Sequence, residues 1–260
     1  MRQSLNCLVL AAGMLLAGCV SSSTVPFPSD KVSMQQASQD NVALAIKYLQ
    51  QGNRDVAMQK VQKAIQLDSD NADAYMAEAL VYSANGDTDR ADDAYHVAMR
   101  KAPDDPEIQN DYAVFLCQHG KAKESEKYFL EAAQNPHYST PDAAYANAGV
   151  CATYVPDMAA AEQYFRRAIN INPNFPEPLY QLALLNYKQK KYLPARAFIE
   201  RFNNVTPQQR PEALFLAVQI ERALGDQQGA ADYAKQLIKQ FPNSPQVQQL
   251  GQGGVHGGNG

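Results

Sequence analysis

ADAYMAEALVYSANGDTDRADDAYHVAMRKAPDD, residues 72–105, is the stretch that decides the fold. Within it Tyr75, Ala79, Tyr82, Gly86, Ala91, Tyr95, Ala98 and Pro103 stand at positions 4, 8, 11, 15, 20, 24, 27 and 32. Small residues at 8, 20 and 27 let two antiparallel helices approach closely, and large ones at 4, 11 and 24 fill the space between them. Glycine near 15 permits a tight turn, and proline at 32 ends the second helix. The pattern reads as one helix–turn–helix hairpin.

The same skeleton recurs on both sides. Upstream, from Ser38, it reappears as Ala45, Tyr48, Gly52, Ala57, Val61 and Ala64. Downstream copies start at Pro106, Asp142, Pro176 and Pro211. The first of these places Ser125 where alanine is usual, the second places Pro156 in the glycine turn, and the third carries Lys190 there and Phe202 at position 27. The sixth copy is the loosest, keeping Leu214, Gly225, Ala230 and Pro242. Starts at 38, 72, 106, 142, 176 and 211 are spaced by 34–36 residues, with the two extra residues of the longest interval in 135–141. A period near 34 is that of the tetratricopeptide repeat. The expected fold is therefore all-α: a right-handed α-solenoid of six repeats and about twelve antiparallel helices over 38–244.

The N-terminus reads as an export and anchoring signal. Arg2 is followed by an apolar run from Leu8 to Leu16, too short to span a bilayer, which ends in Leu16-Ala17-Gly18-Cys19. The last four residues resemble a bacterial lipobox. This assigns 1–18 to a lipoprotein signal peptide and makes Cys19 the lipidated residue; the alternative is ordinary cleavage after Gly18. Val20, not aspartate, in the second mature position points to the outer membrane. Residues 19–37, with the Ser21-Ser22-Ser23 run and prolines at 26 and 28, read as a lipidated N-terminus and flexible tether. Residues 245–260, glycine-rich at the end, read as a disordered tail.

A formal net charge of −4 argues against nucleic acid, which calls for clustered lysine and arginine. No catalytic constellation is found. His96, His119, His137 and His256 are scattered, and neither Asp68/Asp70 nor Asp87/Asp89 continues into a calcium-loop ligand ladder. The reading is a non-enzyme with no metal, no cofactor and no small-molecule substrate.

Of four cysteines, Cys7 lies in the signal peptide and Cys19 in the lipobox, leaving Cys117 and Cys151. They fall in the first helices of repeats 3 and 4. Such helices pack side by side, so the two thiols are able to face each other, and an oxidising compartment favours a disulfide. The alternative is two separately buried core thiols.

What remains is a binding surface. First helices line the concave groove of such a solenoid at repeat positions 2, 5, 9, 12 and 13. In repeats 1 and 2 these positions give an apolar strip of Val42, Ile46, Leu49, Met76 and Leu80. Repeat 3 contributes Asn110 and Val114, and repeats 4 and 5 contribute Val150, Tyr154, Tyr180, Leu184 and Tyr187. An apolar strip suits an amphipathic helix or hydrophobic peptide, and tyrosines combine contact area with hydrogen bonding. Each residue also admits a core reading, one register step away.

One segment is distinctive beyond the generic repeat. Asn110-Asp111-Tyr112-Ala113-Val114-Phe115-Leu116-Cys117 leads through Tyr128-Phe129 and Pro136-x-Tyr138 to Ala146-Asn147-Ala148-Gly149-Val150-Cys151-Ala152. With the lipobox and six repeats, it resembles the type IV pilus biogenesis and stability lipoproteins, the PilF/PilW-type pilotins. The resemblance implies a periplasmic protein on an outer-membrane lipid anchor, whose partner is the pilus secretin and whose role is secretin localisation and multimerisation. It carries over Cys19 as the lipidated residue and Cys117–Cys151 as the disulfide, and no catalytic residue. The competing reading is a general outer-membrane repeat scaffold for barrel assembly or the cell-wall machinery.

Overall fold

The computed structural model of the protein describes residues 30–155 and 157–252. These form thirteen α-helices and no strand. Six hairpins follow one another: α1 (Asp30–Gln50) with α2 (Arg54–Leu67), α3 (Ala72–Ala84) with α4 (Thr88–Lys101), and α5 (Pro106–Gln118) with α6 (Ala122–Gln134). Then come α7 (Pro141–Ala152) with α8 (Met158–Ile171), α9 (Pro176–Lys188) with α10 (Tyr192–Val205), and α11 (Pro211–Leu224) with α12 (Gln227–Gln240). A last short helix, α13 (Pro245–Gln252), packs on both α11 and α12. The family of folds is the all-α tetratricopeptide solenoid.

Close approach within each hairpin rests on fully buried small side chains. Ala57, Ala64, Ala91, Ala98, Ala132, Ala161, Ala168 and Ala195 are all at 0% exposure, and Ser125, in the alanine position of repeat 3, is equally buried. Ser125 remains satisfied there because its hydroxyl donates to the Ala122 carbonyl at 2.8 Å. The facing large residues Tyr95, Phe129, Phe165 and Ile199 are buried to 1% or less. Each such side chain contributes roughly 1.5–3 kcal/mol by leaving water. Gly149 replaces alanine in repeat 4 for a visible reason: a Cβ there would lie 2.6 Å from the Phe165 ring.

The turns follow the same logic. Gly52, Gly86, Gly120 and Gly225 adopt φ near +78°, where a side chain is disfavoured. In repeat 5 Lys190 takes the left-handed conformation instead, at φ +59°. Repeat 4 carries no glycine in its turn. Its helix α7 ends at Ala152, Thr153 donates its hydroxyl to the Val150 carbonyl at 2.6 Å, and α8 resumes only at Met158.

Two boundaries differ from the sequence reading. The tether assigned to 19–37 is helical from Asp30, because no proline or glycine interrupts 30–50 and propagation from the packed segment is favourable once that segment is nucleated. That packing begins at Ser38, buried, whose hydroxyl donates to the Ala64 carbonyl at 2.8 Å. The tail assigned to 245–260 forms α13 over its first eight residues. Pro245 starts the helix, the Ser244 hydroxyl accepts from the Val247 amide, and half-buried Val247 and Leu250 help cover the end of the stack. The signal peptide, Cys19 and the last eight residues lie outside the described residues.

The junction of repeats 3 and 4 has the longest interval between repeats. Its connecting turn is organised by Asn135, whose amide side chain donates to the Asp104 carbonyl at 2.8 Å and whose Oδ1 accepts from the His137 amide at 2.9 Å. A disulfide between Cys117 on α5 and Cys151 on α7, with Cα atoms 5.8 Å apart, joins the two repeats across the same junction. Closing a loop of about 35 residues contributes roughly 3–4 kcal/mol in the chain-entropy picture.

Two outcomes check this account. Lys190→Gly should raise stability by about 0.5–1 kcal/mol, since relief of the left-handed strain exceeds the entropy lost by glycine. The shift in urea midpoint measures it. Reduction of the Cys117–Cys151 bridge should lower stability by about 3 kcal/mol in the same assay, and an unchanged midpoint would remove the bridge from the stability account.

Candidate partner-binding groove

The two layers of the solenoid are not equivalent. The backbones of successive odd-numbered helices from α1 through α11 approach closely, whereas among the described residues those of successive even-numbered helices from α2 to α12 stay farther apart and meet only through long side chains, as Tyr164 on α8 does with Glu126 on α6. The odd layer is therefore the tighter, inner one, and its exposed edge forms a groove.

Position 9 of the first helices runs along that groove. It is occupied by Ile46, Leu80, Val114, Val150 and Leu184 on α1, α3, α5, α7 and α9, each half-buried. Every one packs its inner side on a core cluster while leaving an outer side open. The stripe ends at Gln219 on α11. A row of aliphatic side chains from five consecutive repeats is an apolar strip that solvent alone covers inefficiently.

The other sequence-predicted groove residues separate into three groups. Leu49, Tyr180 and Tyr187 are half-buried beside the stripe, Tyr187 with its ring 5.8 Å from that of Tyr192. Val42, Met76 and Asn110, at position 5, are 6–8% exposed and belong to the core. The reason is the helix period: in α1, α3 and α5 position 5 turns toward the neighbouring hairpin, where Val42 and Met76 join the buried clusters. Tyr154 is 70% exposed but stands past the end of α7, in the long turn to α8, and so lies at the edge and off the stripe.

Beside the stripe, one position along, sequence reasoning passed over a polar row. Asp111, Asn147 and Gln181 are half-buried at position 6 of α5, α7 and α9. Asn147 donates to Asn110 Oδ1 at 3.1 Å, Asn110 donates to Asp111 Oδ1 at 3.3 Å, and Gln181 donates to Glu177 Oε1 at 2.8 Å. Burial pushes the Asp111 carboxyl up to about 6; Glu107 and Asp105 push the same way, against the hydrogen bond from Asn110. Asp73, nearer the start of the groove, is also raised by burial and by Asp105. At repeat 5 the matching acid is neutralised instead. Arg210, the residue just before α11, pairs with Glu177 at 3.2 Å and lies 4.5 Å over the Tyr180 ring. The signal that would have found the polar row is the i, i+3 spacing of Asp111 and Val114, which places both on one helix face.

Away from the groove, a cavity of about 460 Å³ opens between α6 and α8. Phe129, Ala148, Cys151, Ala152, Val155 and Ala160 line it. It exists because alanines meet there and because α8 starts late. The Tyr164 hydroxyl donates to Glu126 beside it.

Comparison with known proteins places this geometry in context. Tetratricopeptide repeat models match residues 48–110, 143–175 and 212–244. The type IV pilus assembly protein PilF of Pseudomonas aeruginosa is 30% identical over 243 residues, covering 93% of this chain and 95% of the relative. An uncharacterized protein of Haemophilus influenzae is 26% identical over 158 residues, 61% of this chain and 86% of that one. Two solved structures superpose on most of the chain. That of PilW, a widely conserved type IV pilus biogenesis factor, has a TM-score of 0.74 and 29% identity, covering 83% of this chain and 98% of its own. That of Pseudomonas aeruginosa PilF has a TM-score of 0.75 and 28% identity, covering 85% and 99%.

The Asp111 environment makes a specific prediction. Its folded pKa exceeds the ordinary value of 3.8, so stability associated with this group is full below pH 3.8 and is lost as pH rises through about 6. After discounting for its partial exposure, the loss amounts to about 1–2 kcal/mol at pH 7.5. Asp111→Asn should therefore be more stable than the parent at pH 7.5 by that amount and indistinguishable from it near pH 4, as measured by urea midpoints. A gap that does not change with pH would contradict this.

Proposed function

This chain belongs to the family of the type IV pilus assembly protein PilF, and on that footing we propose that it is a pilotin, a lipid-anchored periplasmic factor that brings the pilus secretin to the outer membrane and promotes its multimerisation. The observation that carries the reading is the position-9 stripe: Ile46, Leu80, Val114, Val150 and Leu184, half-buried and in line across five repeats. Secretin subunits must carry membrane-destined apolar surface through water before assembly. A groove of this kind covers such surface.

The anchor belongs to the same proposal and is supported by sequence alone. The lipobox Leu16-Ala17-Gly18-Cys19 offers Cys19 for acylation. One acyl chain holds a protein only marginally at a bilayer, and each buried CH₂ adds about 0.8 kcal/mol, so a triacylated cysteine gives stable attachment. Tethering also raises the local concentration of groove near the membrane, which lets a modest affinity suffice. The work proposed is binding, with no bond made or broken.

Charge substitutions in the stripe test the reading. Ile46→Glu and Leu80→Glu should reduce heat-resistant secretin multimers in separated membranes at least several-fold while leaving the helical circular dichroism signal intact. Unchanged multimers with both substitutions present would count against the groove. Cys19→Ala should leave the protein unacylated and outside the outer-membrane fraction; its retention there would remove the anchor from the proposal.

A further inference from the structure

The groove is asymmetric in charge at one place, and the chain itself shows what completes such a place. On α5 the inward line is Glu107, Asp111, Val114, Gln118, one residue per turn. The charged side chains acting on Asp111 are Glu107 and Asp105, both acidic. Tyr138, from the connecting turn, feels Asp111, Glu107 and Asp142 together, again all acidic. On α9 the equivalent acid is Glu177, which likewise follows an N-terminal proline, and there a cation is supplied by Arg210 just before α11. The equivalent residue just before α7 is Thr140, which carries no charge. Repeat 5 thus contains its own counter-ion, and repeat 3 has the acids of the same site with a threonine where the arginine would stand.

The form of the occupant follows from hydrogen bonding. An extended peptide laid on the stripe would need partners for its backbone N–H and C=O groups. Position 9 offers aliphatic carbon. The neighbouring amides each have one N–H committed, that of Asn147 to Asn110 and that of Gln181 to Glu177, and with one per repeat they are too sparse for an extended backbone, which carries a donor and an acceptor about every 3.3 Å. A helix satisfies its own backbone and needs only an apolar face. Adjacent packed helices lie about 8–10 Å apart, and seven residues of helix advance about 10.5 Å, so side chains at i and i+7 fall on successive repeats of the stripe.

We infer that the groove receives an amphipathic helix whose apolar face lies on Leu80, Val114 and Val150 and whose flank carries a lysine or arginine that pairs with Asp111 and Glu107. This rests on the groove reading given above and adds the chemistry of the partner segment. Binding supplies to repeat 3 the cation that Arg210 supplies to repeat 5, and it stabilises the charge of a carboxylate that burial and its acidic neighbours disfavour. The acidic lip also sets direction: of the two flanks of an incoming helix, the basic one turns toward the start of α5.

Three fluorescent 18-residue helical peptides test this with the purified full chain. They share a leucine face with i, i+7 spacing and differ only at one flank residue, arginine, glutamine or glutamate. Fluorescence anisotropy should rank them arginine, glutamine, glutamate, with at least tenfold between the ends. The double variant Asp111→Asn with Glu107→Gln should bring all three within about threefold, and Val114→Asp should weaken all three by more than tenfold, with folding of each variant checked by circular dichroism. Equal affinities in the parent, or a ranking that survives in the double variant, would overturn the inference while the groove reading stands. Failure of every peptide to bind, or binding that ignores Val114→Asp, would overturn the groove reading and this inference with it.

Discussion

Everything in this molecule depends on how closely two helices approach when the residues between them are small. Alanines at 0% exposure line the inside of hairpin after hairpin, and the aromatic or aliphatic residue opposite fills the space they leave. Packing of that density tolerates little change of volume, which is why Gly149 sits against Phe165 where other repeats have alanine. One hairpin cannot bury its own apolar face; a stack can. The same constraint explains α13, which closes the last hairpin as each hairpin closes the one before it.

The curvature that follows is what the proposed function rests on. Because the backbones of inner helices approach more closely than those of outer ones, side chains at a fixed repeat position on the inner layer line up in space although they lie about 34 residues apart in the chain. Position 9 gives a stripe of carbon and position 6 a polar row beside it. On the binding proposed for this groove, selectivity comes from where the repeats differ: an arginine at 210 against a threonine at 140, or a pair of carboxyls on α5. The disulfide joins α5 to α7, the two helices that form the middle of this surface, across the junction with the longest repeat interval.

Much of this was legible in the sequence because the repeat writes its geometry in residue size. The hairpins, their order and the glycine turns follow from the positions of alanine, aromatic residues and glycine. Two kinds of feature were hidden. Helix ends depend on what lies beyond the repeat: 30–37 looks like a polar linker, yet helix continues through it because nothing stops it, and 245–252 looks like a tail until the apolar end of α11 and α12 needs a cover. Burial at neighbouring positions of one helix was the other. Val42, Met76 and Asn110 stand one step from the open face, and a rotation of about 100° per residue separates core from groove. Asp111 was legible only as part of the distinctive segment 110–117 and not as a groove residue, since its chemistry comes from burial, which composition does not display.

The central claim is that the inner stripe, and not the outer surface, grips another polypeptide. Photo-crosslinking residues placed singly at Leu80, Val114 and Val150, and as controls at exposed Leu193 and Ile238 on outer helices α10 and α12, measure this directly in pilus-producing cells. Covalent adducts with the pilus secretin from the three inner positions and none from the two outer ones is the predicted result. Adducts from Leu193 or Ile238 with none from the inner positions would contradict it.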